Sequence, residues 1–195
     1  MFKARIITAD SDPDHRKRLK SILTKAGYAV LYEAKDGLQA LKAVQQLSPD
    51  LAIIDTNLEV YSGIYVAKML AETDQVPVIL ISGYTDKKTY REVAESLAYA
   101  HLIKPVDEAN LFAAIEIASA NYQRVLGLKK EIKKLQQEIQ GRKLIEKAKG
   151  LLMKYQGLSE SEAYNKIRTE SMNRHTSMAR IADTIISYYE IMGKE

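Results

Sequence analysis

LAIIDT, residues 51–56, is a short apolar run that ends in an acidic residue and a hydroxyl residue. Four further runs rich in aliphatic residues occur in the same part of the chain: ARIITA (4–9), AVLYEA (29–34), VPVILIS (76–82) and AHLIK (100–104). The runs are apolar almost throughout, which is typical of strands whose two faces are both covered. Helical patterns separate them, so the segment predicts a parallel sheet with helices on both faces.

Polar side chains stand at the ends of four predicted strands: Asp10, Asp55, Ser82 and Lys104. Because functional groups of open α/β sheets gather at the carboxyl edge, we expect these side chains to converge. A carboxylate can attack a phosphoryl group, and neighbouring acids can hold Mg²⁺ against the developing charge. A lysine and a hydroxyl can hold the phosphoryl oxygens. The set therefore indicates phosphoryl transfer.

Residues 1–121 resemble the receiver domain of two-component response regulators. The motifs that carry this resemblance are ITAD, AIIDTN around Asp55, Gly63, ILIS with Ser82, and LIKP with Lys104 and Pro105. The resemblance implies a flavodoxin-like fold with a five-stranded parallel sheet in the order 2-1-3-4-5. It implies that Asp55 is the phosphoacceptor, that Ser82 and Lys104 stabilise the phosphoryl group, and that His101 stands in place of the switching aromatic residue. A partly buried histidine without a switching role is the alternative for His101.

The resemblance also implies a Mg²⁺ site formed by Asp10, Asp55 and the backbone carbonyl of Asn57. The family has two adjacent acids after the first strand, whereas this chain reads ADSDPD, with Ser11 at the second position. A hydroxyl is a poorer ligand for a hard cation than a carboxylate. Asp12 is the remaining candidate ligand, and we expect weakened Mg²⁺ binding. Two inputs stay open: phosphorylation by a sensor histidine kinase, or a regulatory protein that acts on a receiver without phosphorylation.

A heptad repeat begins in the last helix of this segment and continues through residues 122–141. Its two apolar positions are occupied by Leu111, Ala118, Val125, Ile132 and Ile139, and by Ala114, Asn121, Leu128 and Leu135. From Val125 onward the first position is β-branched and the second is leucine, which favours parallel two-stranded coiled coils. We therefore predict a coiled-coil linker over 122–141 and a homodimer. A long helix that folds back on its own receiver is the alternative.

The charges are divided unevenly along the chain. Residues 1–121 carry 14 Lys and Arg against 16 Asp and Glu, whereas residues 122–195 carry 15 against 9. A basic C-terminal part indicates a polyanionic partner, with a merely solvated helix face as the alternative.

The chain has no cysteine, no apolar run of membrane-spanning length and no secretory signal. We predict a cytoplasmic protein that has no membrane partner and no small-molecule substrate, and that is not an enzyme.

Three helical patterns follow Gly141, at about 142–155, 160–173 and 177–192, and predict a small all-α domain over 142–195. Ser159 and Glu162 have the spacing of a capping box. The residues expected to point inward are Ile167, Met172, Ile181, Ile185 and Tyr188.

Residues 142–186, RKLIEKAKGLLMKYQGLSESEAYNKIRTESMNRHTSMARIADTII, resemble the ANTAR domain, an RNA-binding antiterminator module. The matching positions are Arg142, Ile145, Ala148–Gly150, Leu152, Met153, Gly157, Ser159, Glu162, Ala163, Ile167, Arg168, Ser171, Met172, Ile181 and Ala182. The resemblance implies binding to paired hairpins in leader transcripts. Candidate RNA-binding residues are Lys147, Lys149, Gly150, Lys154, Arg168 and Arg174, with Tyr155, Tyr164 and His175 as candidate stacking groups.

Together the two resemblances predict a signal-responsive, dimeric regulator of transcription antitermination. Phosphorylation or a partner would shift a two-state assembly and so control the RNA-binding surface. The alternatives are a DNA-binding response regulator, and a pseudo-receiver that a protein partner regulates without phosphorylation.

Overall fold

A computed structural model describes residues 3–83 and 87–193 of the chain. The chain forms two compact units, Met1–Leu126 and Gly127–Glu195. The first unit contains β1 Arg5–Ala9, α1 Pro13–Lys25, β2 Ala29–Ala34, α2 Gly37–Leu47, β3 Leu51–Asp55, α3 Gly63–Glu72, β4 Val78–Ser82, α4 Lys87–Glu95 and β5 Ala100–Ile103. Its five parallel strands have the order β2-β1-β3-β4-β5, which confirms the predicted fold class.

The central strands β3 and β4 are buried along their whole length. Successive side chains of a strand point to opposite faces, so Ile53 and Ile54 enter different cores. Ile54 packs in the core that includes Val66 of α3, and Ile53 packs in the core that includes Leu23 of α1. This two-sided burial explains why the strands are apolar without alternation.

The helix α5 is continuous over Glu108–Gln156, whereas we expected a new helix to begin after Gly141. A glycine inside a helix costs about 1 kcal/mol relative to alanine, which is too little to end a long helix. A Cβ atom built at Gly141 would lie 3.3 Å from the Cβ of Ala179. Gly141 therefore marks a close approach to another helix rather than a break.

The heptad positions of α5 divide into two groups. Leu111, Ala114 and Ala118 are buried in the core of the first unit. The later positions are about half exposed: Leu128, Ile132, Leu135 and Ile139 expose 51–54% of their surface. The coiled coil and the boundaries 1–121, 122–141 and 142–195 stay predictions.

The second unit packs the end of α5 against α6 (Glu160–Asn173) and α7 (Met178–Ile191). The capping box is confirmed, because the Ser159 amide donates to Glu162 Oε2 at 2.8 Å and the Glu162 amide donates to Ser159 Oγ at 3.3 Å. Ile167 and Ile181 are buried as predicted, and Ile185 is partly buried.

Two of the residues predicted to point inward do not. Met172 is 64% exposed, and Tyr188 is 53% exposed. In α7 the neighbouring Tyr189 is buried instead, together with Ile186. Since α7 carries apolar residues on more than one side, its periodicity alone does not decide which side faces the core. Within the described ranges, no helix is long and apolar enough to cross a membrane.

Candidate functional site

The carboxyl edge of the sheet brings together the four polar residues predicted to meet there. Asp55 ends β3 and Ser82 ends β4, while Asp10 follows β1 and Lys104 follows β5. Lys104 Nζ donates to Asp10 Oδ2 at 2.8 Å and forms an ion pair with Asp55. Asp10, Asp55 and Ser82 are buried. One ammonium group therefore holds two buried carboxylates from different strands.

Asp10 has further partners that sequence reasoning missed. His15 Nδ1 lies 2.5 Å from Asp10 Oδ2, and the Asp12 amide donates to Asp10 Oδ1 at 2.9 Å. Arg16 donates to the backbone carbonyl of Asp10 at 2.5 Å. The one local signal was DPDHR, residues 12–16, because an Asp N-cap followed by proline marks the start of a helix directly after Asp10.

The carboxylates of this edge have shifted pKa values. Burial raises the pKa of Asp10, but hydrogen bonds from Lys104, the Asp12 amide and His15 outweigh it, and the pKa lies below its ordinary value. Burial also raises the pKa of Asp55, and here it prevails over hydrogen bonds from Lys104 and the Asn57 amide. Burial lowers the pKa of Lys104, whereas the two carboxylates raise it, with a net rise. These shifts keep Lys104 charged beside the two acids.

The oxygen atoms expected to bind Mg²⁺ already accept hydrogen bonds from the protein. Ser11 Oγ donates to the backbone carbonyl of Asn57 at 3.3 Å, and the Asn57 amide donates to Asp55 Oδ1 at 2.6 Å. Among the residues that the structure describes, no group of three or more His, Cys, Asp and Glu side chains is arranged to hold a metal ion. Asp10, Asp55 and the backbone carbonyl of Asn57 are the groups that would hold Mg²⁺, and the weakened binding expected from Ser11 stays a prediction.

Asp12, the remaining candidate ligand, has a different contact. Its carboxylate caps α1 and accepts the amides of Asp14 at 2.9 Å and His15 at 3.4 Å. Ordinary N-capping therefore accounts for Asp12. The structure does not bring its side chain into the group formed by Asp10, Asp55 and Lys104.

Ser82 is bonded to the predicted switch residue. Ser82 Oγ lies 2.8 Å from His101 Nε2, and the His101 ring meets the ring of Tyr90 edge-on at 6.0 Å. Burial lowers the pKa of His101, which favours the neutral imidazole. A hydroxyl at this edge is thus linked directly to a ring on the edge strand β5.

The candidate RNA-binding residues of the second unit differ in their surroundings. Lys149 is only 7% exposed, and its Nζ lies 2.7 Å from Glu160 and 3.0 Å from Glu146, contacts that raise its pKa. It joins α5 to α6, so its position has a structural explanation. Lys147 pairs with Glu190 of α7 at 2.8 Å.

The other candidates lie at the surface. Arg174 is paired with Glu170, and Lys154 lies 4.9 Å from the centre of the Tyr155 ring. Arg168 is exposed, and Gly150 is exposed with no atom within 4 Å of a Cβ built on it. RNA contact by any of these residues stays a prediction.

The three candidate stacking groups also divide. Tyr155 is partly buried and stacks on Tyr189 with ring centres 5.1 Å apart, which supports a packing role. Tyr164 is 43% exposed, and His175 is exposed with a positive φ of 49°. Of these three candidates, Tyr164 and His175 are exposed and Tyr155 is not.

Comparisons with known proteins match both parts of the chain. A model of the response regulator receiver domain matches residues 6–116, and a model of the ANTAR domain matches residues 133–186. Transcriptional regulatory protein PdtaR of Mycobacterium tuberculosis is 30% identical over 182 residues, which is 93% of this chain and 89% of PdtaR. The DNA-binding response regulator MtrA of Mycolicibacterium smegmatis is 32% identical over 114 residues, 58% of this chain and 50% of MtrA.

Solved structures share the receiver fold. The signal receiver domain of a modulated diguanylate cyclase from Desulfovibrio desulfuricans G20 has a TM-score of 0.58 and 26% identity to this chain. The match covers 62% of this chain and 96% of that domain. This fold likeness covers part of the chain, while the sequence similarity to PdtaR extends over nearly all of it.

Proposed function

Since the chain belongs to the response regulators that join a receiver domain to an ANTAR domain, we propose that it regulates transcription by antitermination. The family is a regulatory one, in which ANTAR domains bind RNA and receiver domains interact with kinases. In our proposal, a signal received at Asp55 controls a dimer whose ANTAR units bind hairpins in leader RNA. Bound hairpins would block formation of a terminator.

The observation that carries the proposal is the match of the ANTAR model to the compact, basic second unit. The matched residues 133–186 include the end of α5 and all of α6. Exposed cations such as Lys154 and Arg168 lie on this unit. Lysine and arginine neutralise backbone phosphates, while RNA sequence is read mainly at unpaired loop bases. A compact helical unit with exposed cations fits such a ligand.

Binding of RNA rather than DNA is the first expected result. We expect the full chain to enrich particular loops from a pool of two-hairpin RNAs with randomised loops. It should bind an enriched RNA at least tenfold more tightly than duplex DNA of equal length at the same salt concentration, because the loops offer unpaired bases. Filter binding or fluorescence anisotropy measures both affinities.

Two outcomes contradict this proposal. Equal affinity for both polymers would favour the DNA-binding alternative. No salt-dependent binding to either polymer would favour a regulator that binds only protein.

For the input, we propose phosphorylation of Asp55. A carboxylate oxygen of Asp55 would form a bond to the phosphorus atom of the donor. At the same time the bond between phosphorus and the leaving group would break, and the electron pair of that bond would depart with the leaving group. Lys104 is close enough to remain beside the new phosphoryl oxygens. Ser82 would turn toward them and release His101, which links the event to the edge strand.

Asp55→Asn tests this input. With acetyl phosphate and millimolar Mg²⁺, we expect the wild-type chain to incorporate phosphate and to change its RNA affinity, whereas Asp55→Asn should do neither, because it lacks the nucleophilic carboxylate. Incorporation of labelled phosphate and RNA binding are the measurements. Asp50→Asn is the matched control, since Asp50 precedes the same strand and is paired with Arg5.

The contacts of Asp10 and Asp55 favour a second candidate, a receiver triggered by a partner protein without phosphorylation. Lys104 and His15 already occupy the carboxylates, and Ser11 stands where the family has an acid. If the wild-type chain neither incorporates phosphate nor responds to beryllofluoride, this second candidate replaces phosphorylation of Asp55.

A further inference from the structure

A groove of about 320 Å³ runs between α6 and α7 in the second unit. Leu152, Ile181 and Ile185 supply its apolar lining, and Tyr188 lines it from α7. Lys166 lines it from α6, and Arg174 lines it from the position directly after α6. The groove therefore combines an apolar surface, an aromatic ring and two cations.

Tyr188 is exposed but held in place. Its ring meets the ring of Tyr189 at 78° with centres 5.3 Å apart, and Tyr189 stacks on Tyr155. The hydroxyl of Tyr189 accepts a hydrogen bond of 2.9 Å from Gln156 Nε2. Tyr188 therefore contacts an anchored neighbour and leaves about half of its own surface exposed.

The charges around the groove favour an anionic ligand. Lys166 Nζ donates to the neutral amide oxygen of Gln156 at 2.7 Å, and no carboxylate of the described part of the chain pairs with it. Arg174 shares its charge with Glu170, which also lines the groove. The positive charge of Lys166 is therefore available to a phosphate, whereas an uncharged apolar ligand would leave it unused.

We propose that this groove holds one unpaired base of an RNA loop, stacked on Tyr188 with its phosphate beside Lys166. The proposal rests on the RNA binding proposed above and assigns a residue to it. An unpaired base has a flat apolar face for the ring and a phosphate for the cation. Gln156 and Tyr189 also line the groove, where they are bonded to each other.

Substitution of Tyr188 in the full chain tests the assignment. With one enriched two-hairpin RNA as the probe, we expect Tyr188→Ala to weaken binding about tenfold, because one stacking surface is lost. Tyr188→Phe keeps the ring and should stay within about twofold of the wild type. Ile191→Ala removes an exposed side chain of the same helix that does not line the groove, and it should also stay within about twofold.

Abasic substitutions in the probe identify the base. At one loop position, removal of the base should weaken binding by the wild type about tenfold and by Tyr188→Ala hardly at all, since both changes remove the same contact. Far-UV circular dichroism and thermal melting establish that the variants fold. Tyr188 is half exposed, so alanine there should leave the core intact.

Three results would overturn the assignment. Wild-type affinity in a folded Tyr188→Ala variant, or an equal loss caused by Ile191→Ala, would leave RNA binding established and exclude this groove. Fully additive losses at every abasic position would exclude stacking on Tyr188. A wild-type chain that enriches no RNA would overturn both this assignment and the proposed function.

Discussion

Replacing Ile132 and Leu135 by lysine is expected to raise the dissociation constant of the proposed homodimer about 1000-fold. Both side chains are about half exposed in the single chain. Burying one such side chain contributes about 1 kcal/mol. A dimer loses four of them, and about 4 kcal/mol corresponds to a factor of about 1000. Sedimentation equilibrium over a range of concentrations measures the change.

A matched control distinguishes the loss of apolar heptad side chains from the effect of the added positive charge. Gln137 and Gln140 lie on the same stretch of α5, away from the two apolar heptad positions, and both are exposed. Replacing both by lysine adds the same charge and should leave the dissociation constant nearly unchanged. Equal weakening in the two double variants, or a wild-type chain that is monomeric at every concentration, would contradict the coiled coil.

Gly63→Ala should destabilise the first unit by roughly 3 kcal/mol or more. Gly63 is the first residue of α3 and lies against the strand that carries Asp55. A Cβ atom there would lie 1.9 Å from the backbone oxygen of Asp55, a distance that no real contact allows. Either α3 or the end of β3 must move, and the carboxylate of Asp55 would move with the strand. Urea unfolding followed by circular dichroism measures the loss.

Gly150→Ala is the matched control, because Gly150 is also helical but meets open space. Alanine is the better helix former by about 1 kcal/mol, so this variant should be slightly more stable than the wild type. A Gly63→Ala variant as stable as the wild type would show that the close approach to Asp55 has no energetic consequence.

At the carboxyl edge of the sheet, some features of the site could be predicted from the sequence and others could not. Asp10, Asp55, Ser82 and Lys104 could be grouped because parallel strands end at a common edge, and the structure brings them together. His15 was missed, since its approach to Asp10 depends on how α1 leaves that edge. Asp12 lies two residues from Asp10, yet its side chain turns to the helix amides.

In the second unit, the bounds of one helix were predicted correctly but the positions of some side chains were not. The bounds of α6 and its capping box follow from local spacing and were predicted correctly. The choice between Tyr188 and Tyr189 as the core residue of α7 was wrong, because both belong to apolar stretches of the same helix. Lys149 was predicted to contact RNA; the structure pairs it with Glu146 and Glu160, and its contact with RNA stays a prediction.

The sequence by itself determined the alternation of strands and helices in the first unit, the parallel sheet, the edge at which the polar residues meet and the family. These features depend on the periodicity of apolar residues and on the spacing of caps and motifs, which are local properties of the chain. Only the tertiary structure decided which groups form hydrogen bonds with each other and which face of each helix is exposed to solvent. Lys104 and Asp10 are 94 residues apart. A hydrogen bond between residues so distant in sequence depends on how whole elements pack, which local spacing does not specify.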